Sequence, residues 1–196
     1  SFSSSCRKNL RRAIRDGLSA TVHDPDGPAL ADFKALYGAT MDRLEAADSY
    51  YFSDEYFEAL GGVGQGRLKV LEVRNVSGDL VASTLALIDG DTAHQHLSGS
   101  RLEVRGANNV RVWGLIDWAQ SNGLHSVHLG GGTKEGDSLF RFKQSFGGTP
   151  VDFHVGHLVV DEASYRELTG PEDVGSVADG SQPSFFPAYR APKETS

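Results

Sequence analysis

Hydrophobic and polar positions along the chain change period several times, and each change marks an element. Residues 4–16 carry a serine start signal and bases at 7, 11 and 15, with 8 and 12 beside them, at i, i+4 spacing. That pattern predicts a helix with a one-sided basic face, ended by Gly17 and followed by a short strand over 18–23. After the turn Asp24-Pro25-Asp26-Gly27-Pro28, the spacing of Phe33, Leu36, Tyr37, Met41 and Leu44 predicts a core-packed helix over 29–47. The stretch 48–60 is dense in aromatics (Tyr50, Tyr51, Phe52, Tyr56, Phe57), which read first as core. Residues 61–66, rich in glycine, read as a loop.

Two apolar or alternating segments, 68–74 and 80–88, flank Ser77-Gly78-Asp79 and predict a hairpin, with a third strand over 92–98 after Asp89-Gly90-Asp91. Three antiparallel strands should form the centre of a sheet. Helical spacing returns over 108–122 and stops at Gly123. A strand over 126–129 then runs into Gly130-Gly131-Gly132, a short helix follows over 137–146, a strand over 151–160 and a closing helix over 162–168. From 169 onward the chain is rich in Gly, Pro, Ser and Asp and should be loosely held. The expected organisation is a basic connector helix at 1–17, one folded domain at 18–168 and a tail at 169–196.

Bulk properties narrow the class. With 196 residues and 39% apolar content, the chain can bury one sizeable core. One cysteine, Cys6, excludes an internal disulfide framework and a thiolate zinc cage, and fits a reducing, cytoplasmic setting. No run of 18 apolar residues occurs, so no transmembrane segment is expected. The polar start without methionine reads as a fragment or a processed product. The net charge of −7 hides an asymmetry: Arg7, Lys8, Arg11, Arg12 and Arg15 supply five of nineteen bases, and without them fourteen bases face twenty-six acids, or −12. An acidic body with one basic arm excludes broad nucleic-acid coating, yet leaves room for a confined phosphate contact.

Several chemistries fall away on motif grounds. Histidines 94, 96, 125, 128, 154 and 157 lack acidic partners at ligand spacing, so no metal is expected. Leu97-Ser98-Gly99-Ser100 is not a nucleophile elbow, and the glycine triplet lacks the Lys-Ser or Lys-Thr of a phosphate loop. What remains is a hairpin-rich sheet, then a loop and helix, then another strand and helix. That order fits an α+β acetyltransferase-like fold, a twisted, mostly antiparallel mixed sheet flanked by helices. In such folds an acyl-CoA pyrophosphate sits at the start of the helix after the central strands. The acyl-CoA loop pattern aligned on Gly106 places Glu103 and Asn108 at its key positions, and an acidic Glu103 argues against ordinary acetyl-CoA use.

Longer strings carry a resemblance. His96-Leu97-Ser98-Gly99-Ser100, Gly106-Ala107-Asn108-Asn109, His128-Leu129-Gly130-Gly131-Gly132 and 137–146, which contains Phe142-Lys143, resemble the C-terminal acetyltransferase-like domain of Fem-type aminoacyl-tRNA-dependent peptidyltransferases. The basic segment 6–17, the stretch 37–57 and Phe185-Phe186-Pro187-Ala188-Tyr189-Arg190 extend the likeness over nearly the whole chain. It implies transfer of an aminoacyl group from aminoacyl-tRNA, as donor substrate rather than cofactor, to an amine in peptidoglycan-precursor or natural-product synthesis. Lys143 would neutralise developing negative charge, and Phe142 would shape the site or offer its carbonyl to the amine; the alternatives are a snorkelling lysine and a core phenylalanine. Arg43, Tyr51, Tyr56 and His96 match the region where the family grips an acceptor, which can be phosphate-bearing, with Gly130 and Gly131 lining the cleft. His96 stands where an aromatic hydroxyl is common. The basic helix residues would contact RNA or merely link domains, and Asp137 caps the last short helix. Family members carry two such domains, so a second domain or a further copy of the chain is an expected partner. Two other readings stay open: an acyl-CoA-dependent N-acyltransferase, and a noncatalytic tRNA- or partner-binding half.

Overall fold

The computed structural model describes residues 1–63, 66–132, 136–170 and 185–191. The chain divides into two compact units, Ser1–Pro150 and Val151–Ser196. In the first, the described elements run α1 (Ser4–Arg15), β1 (Ser19–His23), α2 (Gly27–Arg43), a 3-10 turn at Asp48–Tyr50, α3 (Asp54–Gly61), β2 (Leu68–Arg74), β3 (Leu80–Asp89), β4 (Thr92–Ser100), α4 (Ala107–Ser121), β5 (Ser126–His128) and α5 (Ser138–Gln144). The five strands form one sheet in chain order; three junctions are antiparallel and β4 to β5 is parallel. A parallel junction needs a crossover, which α4 supplies. The α+β architecture expected from the sequence is the one observed.

Both faces of the sheet are covered, which is why its central strands read as nearly continuous apolar runs. Along β2, Leu68 and Val70 face one cluster while Leu71 and Val73 face the other. The first cluster joins Phe33, Tyr37 and Met41 of α2 to Phe57 and Leu60 of α3 and Leu85 of β3. On the opposite face, Val110, Leu115 and Ala119 of α4 pack with Leu71, Val73, Ala82 and Ala86, and Leu10 and Ala13 of α1 join the same cluster. Residues 1–17, expected as a connector, thus contain a helix that buries Cys6, Leu10 and Ala13 and leaves its bases exposed. Phe2, just before α1, meets Phe146 edge-on at 5.3 Å, and Phe146 meets Phe142 in the same manner at 5.3 Å. Ser3 N–H also donates to Ser145 O at 2.8 Å, so the start of the chain braces the segment that ends α5.

Helix boundaries follow their caps. Asp26 accepts from Ala29 N–H at 2.8 Å and Pro28 occupies the first turn, so α2 begins at Gly27, earlier than expected. It also ends sooner: Glu45 adopts φ 49°, and Ala46 N–H returns to Met41 O at 3.1 Å, closing the helix short of 47. Helix α3 was not expected within the aromatic stretch, although Ser53-Asp54-Glu55 ahead of Phe57 and Leu60 is a start signal of its own.

The second unit corrects a larger expectation. Residues 151–160 form no strand, although Val151, Phe153 and Val155 alternate as a strand should; all three are exposed and no described segment pairs with them. Alternation describes a surface able to pair, and pairing still requires a partner edge. Within this unit α6 (Glu162–Thr169) is capped by Asp161, and Tyr165 stacks on Phe186 and accepts from Ala188 N–H at 3.0 Å. The tail expected to be loosely held lies mostly outside the described residues. No described helix is long and apolar enough to cross a membrane.

Gly106 starts α4 at φ +84°, and a Cβ there would meet the Ala13 Cβ of α1 at 2.8 Å. Gly106→Ala should therefore cost about 1–3 kcal/mol through left-handed backbone and helix contact together, measured as a lowered urea midpoint with unchanged slope.

Candidate functional site

The site begins where the sheet comes apart. Pairing of β4 with β5 covers only Thr92, Ala93 and His94 against Ser126, Val127 and His128; beyond His94, β4 continues against β3 alone. In the β3–β4 ladder Leu85 pairs with Leu97 and Ala86 with Gln95, so His96 is an extra residue in β4. Such a bulge bends the strand and re-aims its side chains. Gln95 points to the α4 face, where it meets Arg111, whereas Leu97 packs with the α2–α3 cluster and His96 reaches Tyr56 of α3. The bulge and the parting of the strands together open a wedge between the second half of β4 and the glycine segment after β5.

Lys143 of α5 lies at that wedge. Its ammonium donates to Gly131 O at 2.6 Å, and Gly130, at φ +70°, lies so close that a Cβ there would stand 3.4 Å from Nζ. Gly132 leaves space for Asp137, whose Oδ1 accepts from Phe140 N–H at 2.6 Å and caps α5. The glycine triplet thus has a local physical role at each position: close approach, an open carbonyl and room for a cap. Burial lowers the Lys143 pKa below its ordinary 10.5, the Arg111 cation lowers it further, and Asp137 opposes both. Phe142 points instead into the cluster of Cys6, Val112 and Phe146, where it is half-buried and anchors α5.

The sequence reading missed Arg111. It is 6% exposed, buried between α4 and the sheet, where Nη1 donates to Thr84 Oγ1, to Ser98 Oγ at 2.6 Å and to Gln95 Oε1 at 3.1 Å, and Nε donates to Asn108 Oδ1 at 3.1 Å. Every acceptor is neutral, and no described carboxylate pairs with the guanidinium. Desolvation alone lowers its pKa, to about 10, so it remains a cation at neutral pH. The available signal was an arginine on the sheet-facing side of α4, beside Val110, Val112 and Leu115, at a position where helical spacing calls for an apolar residue.

The remaining predicted residues divide. Tyr56 Oη and His96 Nε2 lie 2.5 Å apart; desolvation raises the tyrosine pKa and lowers that of the imidazole, so both are neutral at neutral pH and the hydroxyl donates to Nε2. Arg43 is not brought to this wedge. It donates to Ser100 O at 3.0 Å and lines a cleft of about 650 Å³ with Asp32, Leu36, Leu80 and Glu103, a cleft that neither Lys143, Gly130, Gly131, His96 nor Tyr56 lines. Tyr51 donates to Asp42 at 3.1 Å and is exposed. Arg7, Lys8, Arg11, Arg12 and Arg15 line one groove along α1; Arg12 pairs with Asp16 at 3.5 Å and Arg7 donates to Phe2 O. The helix after the central strands has Gly106 as its N-cap, with no side chain capping it, while exposed Glu103 stands three residues before.

Because the folded state depresses the His96 pKa, protonation favours the unfolded chain, and this contribution to stability is lost as pH falls below about 6.5. An NMR titration should find His96 protonating below that value. Tyr56→Phe, which removes the donor that favours neutral imidazole, should move the midpoint upward.

Comparison with known proteins places this geometry. A family profile described as "Acetyltransferase (GNAT) domain" matches residues 4–144. No curated protein matches the chain at a significant level. Among solved structures, FemX superposes with a TM-score of 0.59 at 16% identity, over 74% of this chain and 54% of that one. L-PGS from Bacillus licheniformis gives 0.52 at 15%, over 70% and 45%. An aminoglycoside acetyltransferase from an uncultured soil metagenomic sample, in complex with sisomicin, gives 0.57 at 14%, over 76% and 99%. The chain therefore spans about half the length of the first two. At these identities the likeness is one of fold.

Proposed function

We propose that this chain, which belongs to the acetyltransferase (GNAT) domain family, is an acyltransferase whose donor is an aminoacyl-tRNA and whose acceptor is an amine. The observation that carries this reading is Lys143 held against Gly130 and Gly131 at the open wedge, within the Gly-Gly-Gly and Phe-Lys strings that resemble the Fem-type enzymes. Similarity of fold to FemX supports it. In the reaction the acceptor nitrogen attacks the ester carbonyl and forms the C–N bond. The tetrahedral oxyanion collapses, the ester C–O bond breaks, and the ribose oxygen leaves with the proton released by the amine. Lys143 faces the oxyanion, where a positioned cation in a partly desolvated cleft stabilises charge that exists only near the transition state. Tyr56, whose hydroxyl donates to the neutral His96, is placed to take the amine proton while it passes its own proton to Nε2. The exposed bases of α1 supply a confined surface for tRNA phosphates.

A second reading has its own support. The helix start at Gly106 has no side-chain cap, and the fold covers nearly the whole of an aminoglycoside acetyltransferase, which favours an acyl-CoA donor. Glu103 beside that helix start disfavours a pyrophosphate.

Parallel titrations with charged tRNA and with CoA at two salt concentrations, on the chain and on Lys143→Ala, separate the two. Salt-sensitive tRNA binding that weakens in the variant supports aminoacyl transfer; saturable CoA binding without tRNA binding replaces it with the acyl-CoA reading, and silence from both points to a half that needs a partner. Where transfer is measurable, Lys143→Ala should lower its rate by about 10²–10³-fold. Replacing Arg11 and Arg15 by alanine should reduce the salt slope of tRNA binding by roughly 1–2 and leave the urea midpoint unchanged.

A further inference from the structure

Arg111, bonded to β4 beyond its pairing with β5, and Lys143, bonded to Gly131 after β5, flank the wedge with little negative charge around them among the described residues. Arg111 is buried under β3 and β4, and its described partners, Thr84, Ser98, Gln95 and Asn108, are all neutral. These contacts occupy Nη1 and Nε, while Nη2 hydrogen-bonds to no described residue. Lys143 is near enough to feel the Arg111 charge, and the one described carboxylate acting on it is that of Asp137. A buried guanidinium is ordinarily paired, because removing it from water costs several kcal/mol that neutral acceptors only partly offset. Among the described residues, Arg111, Lys143 and Asp137 leave one net positive charge beside an opening in the sheet.

We propose that Arg111 and Lys143 together bind a single carboxylate carried by the amine acceptor, which makes that acceptor an amino acid or a peptide whose free carboxyl group lies close to its amine. One net positive charge matches a monoanion. The donors suffice as well: Nη2 offers two N–H groups, and Lys143 keeps two after giving one to Gly131 O, enough for both oxygens of a carboxylate. Position agrees as well, since Gln95 and Ser98, which hold Arg111, belong to the part of β4 that has left β5. The assignment of this anion to the acceptor rests on the acyl-transfer reading of the wedge; binding of the anion itself does not.

The test is thermal melting of the chain in sodium acetate, sodium phosphate and sodium chloride at matched ionic strength, without tRNA or any acyl donor, so failure of the aminoacyl-tRNA reading leaves it untouched. Acetate should raise the melting temperature above chloride in a concentration-dependent manner and by more than phosphate does. Arg111→Met keeps the volume and leaves no charge stranded among its neutral neighbours, so it should fold and lose the acetate increment. Lys143→Gln changes a half-exposed residue and provides an independent measure: its increment should fall at least twofold. An equal acetate increment in the wild type and in either variant, or none in the wild type, overturns the proposal. A larger response to phosphate overturns the carboxylate assignment.

Discussion

One extra residue in β4 governs the geometry of the cleft. Without His96 as a bulge, Gln95 and Leu97 would keep the strict alternation of their strand and the register with β3 would run unbroken. With it, Gln95 serves the α4 face, and both His96 and Leu97 serve the α2–α3 face. The bend coincides with the end of pairing between β4 and β5 after His94. A sheet that would otherwise be closed by hydrogen bonds is therefore open at the point where the strand beside the opening carries polar side chains on both faces.

Support for the opening comes from three elements far apart in sequence. Helix α4 brings Arg111 beneath it, and Asn108 at the start of the same helix links Arg111 to Ser100 of β4 by donating to Ser100 Oγ at 3.0 Å. Helix α5 brings Lys143, fixed by the Asp137 cap and by Phe142 and Phe146 packed toward Cys6. Helix α3 brings Tyr56, which stacks on Phe52 at 4.3 Å and carries its hydroxyl to His96. The basic arm that looked like an appendage is joined to this frame, since α1 packs on α4 and Phe2 braces Phe146. Residues without direct access to the wedge can thus set the position of those that have it.

Most elements were legible because their signals are local. The hairpin of β2 and β3, the third strand, α4 with its glycine stop and the Asp137 cap all follow from period and turn chemistry within a few residues. The errors share the opposite character. Residues 151–160 alternate like a strand and have no described edge to join, and α3 was obscured by aromatics read for composition rather than for the Ser53 cap ahead of them. Lys143 was found through a string that resembles a family, whereas Arg111 lies in no such string.

The sequence by itself determined that helices flank the sheet, the order of β2, β3, β4, α4, β5 and α5, and the placement of Lys143 on the short helix that follows the glycine triplet, because periodicity and caps act over one or two turns. Only the tertiary structure decided that Arg43 lines a cleft which Lys143 does not, that Tyr56 and His96 share a hydrogen bond, and that Arg111 is buried without a described carboxylate. Those facts depend on where β4 bends and where β5 leaves it. Charges 32 residues apart, Arg111 and Lys143, come within each other's field only once α4 has crossed from β4 to β5 and α5 has brought Lys143 back to Gly131.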